Sequence, residues 1–591
     1  MRGKLSDILI NSRLPRGYRV AGDLNTKSLK TAMVGLAKRD PLAYAKAAPK
    51  IKKLGDEFST FEGISVGLDD IEPEYSRRDP IIAKAKKVVF NPNASKEAKV
   101  GALLEAQGKL KELTGQHKGD MAMTARSGSR GNMVQLMKMV TSPVVVGDFD
   151  GAPVPFLIQK GYSEGVSPAE GWIAGDESRA QVIKGQLGTA EPGEMQKVLA
   201  SVMSEGVVAK DDCGTTNGIT LDPDDASIEG RYLPGSGGYV DSTKAAQLMR
   251  SGRPTKVRSP MTCGLDRGVC QKCMGAGPRG KPLDIGVNAG IRSAQALSEP
   301  LTQMQLSAKH GVSLVQGDHN IPRGLKAFKQ FVEVPKAFFY KAPLAESGGR
   351  VEAVDKAPQG GFDVKIGGVD HYVPPNRKLL IKKGMAVEAG DTIAEGIASP
   401  DEVVRHKGLG HGRNYLVKSL RKVYDESAGG VDPRHIELLA RTQLNYAEVV
   451  DDVPGANRGD ILPLHRISKH FQGRGTETDL NSAVGKVITE PASYVTPGTL
   501  LTKRVVEDLK KEGISRVKAY AGKPVLRPVM TSASRTPLLN PNWMQRLGYR
   551  YQKQTLIDAA TFGQKGDIHT YDPVAALAFG KELRRGPGGT Y

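Results

Sequence analysis

The sequence predicts a multidomain α+β chain, a helix-rich core carrying small β domains, and three observations predict it. The first is length: 591 residues correspond to about four domains at roughly 150 residues each. The second is composition: 39% apolar and 25% charged residues supply enough apolar matter for packed cores, which excludes wholesale disorder. The third is rhythm. Helical spacings recur along the chain, broken by 69 Gly and 36 Pro spread throughout, and they give way once to a Gly-rich, strand-like stretch.

Taken in order, residues 1–60 disperse Lys and Arg among helix formers. Between 81 and 115, IIAKAKKVV and ASKEAKVGALLEAQGKLKEL set Ala, Leu and Val at helical spacing with charges between them, which predicts helices. GSRGNMVQLMKMV opens on a Gly-rich turn and continues as a helix. Residues 176–204, DESRAQVIKGQLGTAEPGEMQKVLASVMS, form one long helix-compatible stretch. Glu191-Pro192-Gly193 should kink it, because proline lacks the backbone donor and crowds the preceding turn. Residues 350–400, with GGFDVKIGGVDHYVPP and GMAVEAGDTIAEG, read as a small β domain. Residues 412–448 return to helix, and the tail RRGPGGTY carries no predicted structure.

The formal net charge is +20, a surplus that points to a polyanionic partner, most simply nucleic acid. Aromatic residues at 5% argue against stacking platforms along the chain. No run of about 18 apolar residues occurs, which excludes a membrane-spanning helix. The opening MRGKLSDILINSRLPRG scatters its charges and has no apolar segment, so it does not read as a secretory signal. Four cysteines in so long a chain make no disulfide framework; in a reducing compartment they read as thiols or metal ligands.

Three of them, Cys263, Cys270 and Cys273, lie in CGLDRGVCQKC. The C-x2-C pair lets two thiolates reach one ion from a single tight turn, with Gly268 before it and Gly275 after it supplying backbone freedom. Tetrahedral zinc needs a fourth ligand, and the remaining cysteine, Cys213 in DDCGTTNG, also sits in a turn-forming context. All four fit one closed structural site without an open position for catalysis. The alternative is a redox pair or simply buried thiols, neither of which needs a third and fourth partner.

At this cluster the chain resembles the C-terminal part of the beta-prime subunit of multisubunit DNA-dependent RNA polymerases. That family carries a cysteine in a DDCGT segment past a long helix, then a C-x6-C-x2-C run ahead of a GEPGTQ motif. Here Cys213 lies in DDCGT and the run precedes VNAGIRSAQALSEPLTQMQLSAKHGV. The resemblance extends along the chain. GKLSDILINSRLP is similar to the segment after the family's catalytic barrel. GISVGLDD at 63–70 and SGSRGNMVQ at 127–135 are similar to the pore and funnel, with Arg130 matching the arginine of SGARGS. AGDTIAEGIASPDEVVRHKGL and LVKSLRKVYDESAGGVDPRHIELLAR resemble the clamp-side part, and the last 40 or so residues resemble the terminal helices more loosely.

The resemblance implies a division into a pore and funnel-like region (1–150), a bridge-helix region (151–210), a zinc-binding region (211–297), a trigger loop (298–325), a small β-rich domain (326–400) and a clamp-side helical region (401–591). The stretch 172–204 is similar to the bridge helix, which crosses the active-site cleft; read alone, it is equally an ordinary solvated amphipathic helix. Thr189 and Ala190 match positions that pack against the template base pair, where small side chains are needed, and Pro192 stands where the family has serine. Residues 298–323 look like the trigger loop, which folds over a correctly paired nucleotide and excludes water. His310 matches the family histidine near the triphosphate, as a positional cation or as a proton donor to pyrophosphate. Leu306 matches the residue that packs on the base, and Gln303 could bond to the sugar. Ser307 replaces an arginine and removes a charge-assisted phosphate contact. Lys309 replaces a phenylalanine and restores a nearby charge, while Leu301 replaces a hinge glycine.

The family holds two Mg²⁺ ions on three aspartates of an NADFDGD loop. This chain has only Gly147-Asp148-Phe149-Asp150-Gly151-Ala152. Its third aspartate is replaced by Ala152, it follows SGSRG, and it better resembles a funnel turn; the alternative is that Asp148 and Asp150 bind metal. The expectation is therefore one half of a split subunit, possessed by chloroplast, cyanobacterial and some bacteriophage polymerases, with a lean toward a phage enzyme of the host cytoplasm, nucleoid or virion. Its implied partners are an N-terminal beta-prime polypeptide carrying the aspartates and the Mg²⁺, beta-like subunits, DNA template, RNA product, nucleoside triphosphates and a specificity factor, with no membrane. A reading from another class is a non-catalytic, zinc-containing nucleic-acid-binding protein derived from the polymerase.

Overall fold

The computed structural model describes residues 5–15, 17–20, 24–148, 152–186, 188–235, 237–276, 280–307, 324–375, 377–427, 430–451, 453–471, 473–564, 577 and 580. They fall into two compact units, one reaching to residue 186 and the other made of the described residues from 188 onward. The fold is mixed α+β and multidomain, as expected.

The first unit is helical. The expected helices of 81–115 are Tyr75–Val89 and Lys96–Thr114. They bury Ile82, Ala85 and Val89 against Leu103, Ala106 and Leu110, with Met137 from the Met133–Val140 helix. Ser95 caps the second helix by accepting the Ala98 N–H at 3.2 Å, and Asn132 caps the helix that begins at Met133. After it the chain turns back as a short hairpin, pairing Val144 with Ile158 and Gly147 with Pro153.

The break in the stretch 176–204 lies earlier than the sequence predicts. One helix, Pro168–Gln186, closes the first unit and another, Ala190–Met203, opens the second. Gly188 and Thr189 form the turn between them. Pro192 falls in the first turn of the new helix, where its missing N–H would have had no partner anyway, so it starts a helix instead of kinking one.

Helices supply much of the core of the second unit. Met195, Val198, Leu199 and Val202 of Ala190–Met203 share a core with Leu297, Leu301 and Met304 of Ala289–Ser307, Phe328 and Phe331 of Gly324–Glu333, and Leu416, Leu420 and Tyr424 of Pro400–Ser427. Gly408, at φ +85°, kinks the last of these. The first two helices meet at glycines. A Cβ on Gly290 would fall 1.8 Å from the Met203 carbonyl oxygen, and the Gly290 N–H donates to Gly206 at 2.9 Å. The C-terminus of one helix thus abuts the N-terminus of the other, and since the two pack along their length they run antiparallel.

The expected β domain is a four-stranded sheet. Gly349–Lys356 pairs with Phe362–Ile366 and with Ala386–Val387, and Phe362–Ile366 pairs with Val369–Val373. The region 401–591, expected to be helical, is corrected by the structure. Tyr446–Val449 lies between Ile461–Pro463 and Leu526–Val529, and Arg516–Tyr520 lies between Thr476–Asp479 and Val487–Ile488. These strands are two to five residues long and several find their partners far along the chain, so no local period announces them.

Candidate metal centre

The four cysteines arrive from three places. Cys213 follows the strand Val208–Lys210 in a loop whose Gly214 has φ +71°. Cys263 follows a single 3-10 turn, Pro260–Thr262. Cys270 ends the strand Val269–Cys270, which pairs in parallel with Val208–Lys210, and Cys273 lies in the one-turn helix Gln271–Met274. Gly268 and Gly275 both adopt positive φ, +70° and +78°, the left-handed region that glycine enters without steric cost. All four Sγ atoms lie within 4.8 Å of one another, and those of Cys213 and Cys273 are 3.7 Å apart. Four sulfurs each about 2.3 Å from a tetrahedral ion stand about 3.8 Å from one another, so the cluster could hold one metal ion. Backbone donors already serve the sulfurs: the Gly264 N–H points to Cys213 at 3.3 Å, Cys270 N–H to Cys263 at 3.4 Å, and Cys273 N–H to Cys270 at 3.3 Å. Amides so aimed favour thiolate over thiol.

Around the cluster stand charges that the sequence pattern did not single out. Arg258 is buried beside the sulfurs and bonded to Asp212 at 2.6 Å, and Lys272 reaches the other oxygen of Asp212 at 2.7 Å. The Lys272 ammonium, with Arg258 beyond it, holds the Asp212 carboxyl well below the usual carboxylate range.

One helix, Pro433–Gln443, fastens the module to the rest of the unit through three residues on one face. Arg434 donates to the carbonyls of Gly230, Met274 and Ala276 at 3.2, 3.4 and 2.9 Å. Glu437 accepts two bonds from Arg231, at 2.9 and 2.6 Å, and one from Ser259 at 2.6 Å. Arg441 donates to the carbonyls of Pro260 and Cys263 at 3.0 and 2.8 Å, and to Leu265. Side-chain exposure is 0% for Arg231 and 1% for Glu437. Glu437→Ala should therefore lower stability by about 3–5 kcal/mol, because it strands a buried guanidinium. The measurement is the denaturation midpoint; an unshifted midpoint would mean the pair is not sequestered from water.

The other residues singled out in the sequence are placed as follows. Thr189 and Ala190 are exposed at the start of Ala190–Met203. Gln303 is exposed on Ala289–Ser307, whereas Leu301 and Met304 of the same turn are buried. Counted from the Met203–Gly290 contact at 1.5 Å per residue, Ala190 and Gln303 each lie about 20 Å away along antiparallel helices, and so stand at the same end of the pair. Glu191 at that end pairs with Lys329 at 2.5 Å. Ser307 ends the helix, and the side chains of Leu306 and Ser307, together with all of Lys309 and His310, lie outside the described residues. Arg130 is exposed in the first unit, between the helices Asp120–Ser127 and Met133–Val140. Asp148 follows the bridged Gly147 and its carboxylate accepts the Ala152 N–H at 2.8 Å; Asp150 lies outside the described residues.

Residues 165–343 match the family model of RNA polymerase Rpb1, domain 5. The chain is 26% identical to the beta' subunit of DNA-directed RNA polymerase from Acidothermus cellulolyticus, an alignment that covers 94% of this chain and 43% of that subunit. It is 28% identical to the same subunit of Symbiobacterium thermophilum, over 71% of this chain and 38% of the relative. For Moorella thermoacetica the figures are 26%, 91% and 46%. The chain thus spans less than half the length of these relatives.

Proposed function

We propose that this relative of the RNA polymerase beta' subunit, matched to its C-terminal part, acts as that part of a DNA-directed RNA polymerase, a nucleotidyltransferase active only in complex with other subunits. The observation that carries the reading is a similarity that runs along 94% of the chain instead of stopping at the cysteines. On this reading the helices around Gly188 and Thr189 serve as the bridge helix, with Thr189 and Ala190 beside the template base pair. Residues 298–323 serve as the trigger loop. Its base, marked by Gln303, stands at the same end of the helix pair as Ala190, and a loop that must close beside the template position needs that placement. Leu306 packs on the nucleotide base, His310 and Lys309 face its phosphates, and Arg130 belongs to the funnel side.

Cys213, Cys263, Cys270 and Cys273 would hold one structural Zn²⁺, a choice that follows from four clustered thiolates and no open ligand position. The ion would supply cross-linking of three chain segments and no chemistry. The catalytic Mg²⁺ ions would be held elsewhere, since no NADFDGD sequence occurs in these 591 residues. The aspartates then lie outside these 591 residues, and the proposed partners are beta-like subunits, DNA, RNA, nucleoside triphosphates and a specificity factor. A net charge of +20 suits the nucleic acid partners. No described helix is long and apolar enough to cross a membrane, and the proposed place of action is the cytoplasm, in a split enzyme of bacteriophage type.

The test is nucleotide addition on a primed RNA–DNA scaffold. These residues alone are expected to add nothing, and to extend the primer once combined with the aspartate-bearing and beta-like partners. Extension by the chain alone would refute the division of labour. A complex that binds the scaffold but never extends it would favour the non-catalytic nucleic-acid-binding reading.

A further inference from the structure

A divalent ion bound by four thiolates leaves two negative charges in a site whose Cys270 and Cys273 are 0% and 1% exposed. Burying uncompensated charge is costly, so a counter-cation is required close by. The structure offers one in an unusual position. The Arg258 side chain is wholly buried. A single nitrogen, Nη2, lies 3.1 Å from the Sγ of Cys213, 3.4 Å from that of Cys270 and 3.4 Å from that of Cys273. One donor nearly equidistant from three sulfurs sits over a triangular face of the sulfur tetrahedron. The other end of the fork is fixed: Nη1 bonds to Asp212 at 2.6 Å, and Lys272 holds Asp212 from outside at 2.7 Å. Nε of Arg258 has no hydrogen-bond partner among the described residues. A guanidinium placed merely to satisfy its own donors would not leave one unbonded; this one is placed for its sulfur-facing end. The fourth sulfur, that of Cys263, is served by the Cys270 N–H instead.

We propose that Arg258 is the built-in counter-cation of the metal centre, capping the face formed by Cys213, Cys270 and Cys273, offsetting part of the negative charge on those three thiolates and slowing metal loss. This rests on the zinc reading of the cysteines. Groups that orient and hydrogen-bond metal ligands typically change affinity by about 10–100-fold when removed, and a shared, buried donor to three ligands belongs in that range.

The experiment uses the full chain loaded with Zn²⁺, or with Co²⁺ as a coloured substitute. Zinc release to an excess of a chromogenic chelator should be about 10–100-fold faster in Arg258→Gln than in the parent. In the Co²⁺ form, the sulfur-to-metal charge-transfer band should move to lower energy, because sulfurs relieved of a positive donor give up electrons more easily. Arg258→Lys should fall between the two, and it carries the test if the glutamine variant fails to fold. The band is read only from metal-loaded molecules, so a loss of general stability does not move it. Faster release with an unmoved band, or parental behaviour in both variants, would overturn the proposal. A parent chain that takes up no stoichiometric zinc would instead refute the zinc reading itself.

Discussion

Replacing Cys270 and Cys273 together by serine is expected to abolish stoichiometric zinc and to unfold the module around the cysteines. The parent chain should carry one Zn²⁺. The size of the effect follows from what the ion would do: it would join segments at 213, 263 and 270–273 whose strand pairings among the described residues are short, two or three residues a side, Val208–Lys210 with Val269–Cys270 and Ile219–Leu221 with Thr255–Val257. Such short pairings are marginal on their own, which leaves the ion and the Pro433–Gln443 helix to hold the three segments together. Structural zinc contributes about 10–16 kcal/mol of apparent binding free energy in small domains, as much as the entire stability of a typical protein, about 5–15 kcal/mol. Serine keeps the shape but does not ionise to a ligand, and it leaves two hydroxyls in a site closed to water. Metal analysis and limited proteolysis of residues 205–290 are the measurements. Undiminished zinc in the double variant would remove these cysteines from the site.

The second large effect is expected at His310, in single-nucleotide addition by the assembled enzyme. If the loop from 298 to 323 closes over the nucleotide, His310→Ala removes a contact made mainly in the closed state, so the maximal rate falls more than the apparent affinity for nucleotide. A general acid contributes about 10²–10⁴-fold, whereas a positional contact worth about 1–2 kcal/mol contributes roughly 5–30-fold. His310→Gln distinguishes them, since an amide keeps a hydrogen bond but cannot donate a proton as an acid. Near-parental speed with glutamine and slow addition with alanine would assign a positioning role; equally severe defects would assign acid catalysis. Because Ser307 stands where the family has arginine, Lys309 should share the phosphate contact. Full rate in both His310→Ala and Lys309→Ala would mean that this loop does not gate catalysis.

What could be read ahead of the structure was whatever depends on local chemistry. The gathering of Cys213 with three cysteines some fifty residues later was legible because a tetrahedral ion needs a fourth ligand. The positive φ of Gly268 and Gly275 was legible because a C-x2-C turn demands it. Arg258 was not: an arginine in VRSPMTC carries no mark of the three sulfurs it will meet. Nor were Arg434, Glu437 and Arg441, spaced by three and four residues. That polar stripe is what a solvated helix face looks like, and only the fold reveals that it is pressed against carbonyls and a buried guanidinium. Pro192 misled for a related reason, because a proline early in a helix and a proline that breaks one are the same letter. The strands beyond residue 445 escaped because their partners lie up to some eighty residues apart.

The helix that clamps the cysteine module is also its latest-arriving part. The last cysteine is residue 273, yet Arg434, Glu437 and Arg441 are synthesised about 160–170 residues later. At about 5–20 residues per second the ribosome needs roughly 10–30 s to supply them. In that interval the module has its metal ligands but not its clamp, and Arg231, which will be wholly buried, has no Glu437 to pair with. If the cysteines hold zinc as proposed, a nascent chain has the ligands to load it well before it can finish this core. In the same interval the carbonyls of Cys263 and Met274 lack the Arg441 and Arg434 donors that they accept from in the folded chain. For this molecule the four candidate ligands are complete before the clamping helix exists, and a truncation anywhere between 274 and 433 leaves all four cysteines without Arg434, Glu437 and Arg441.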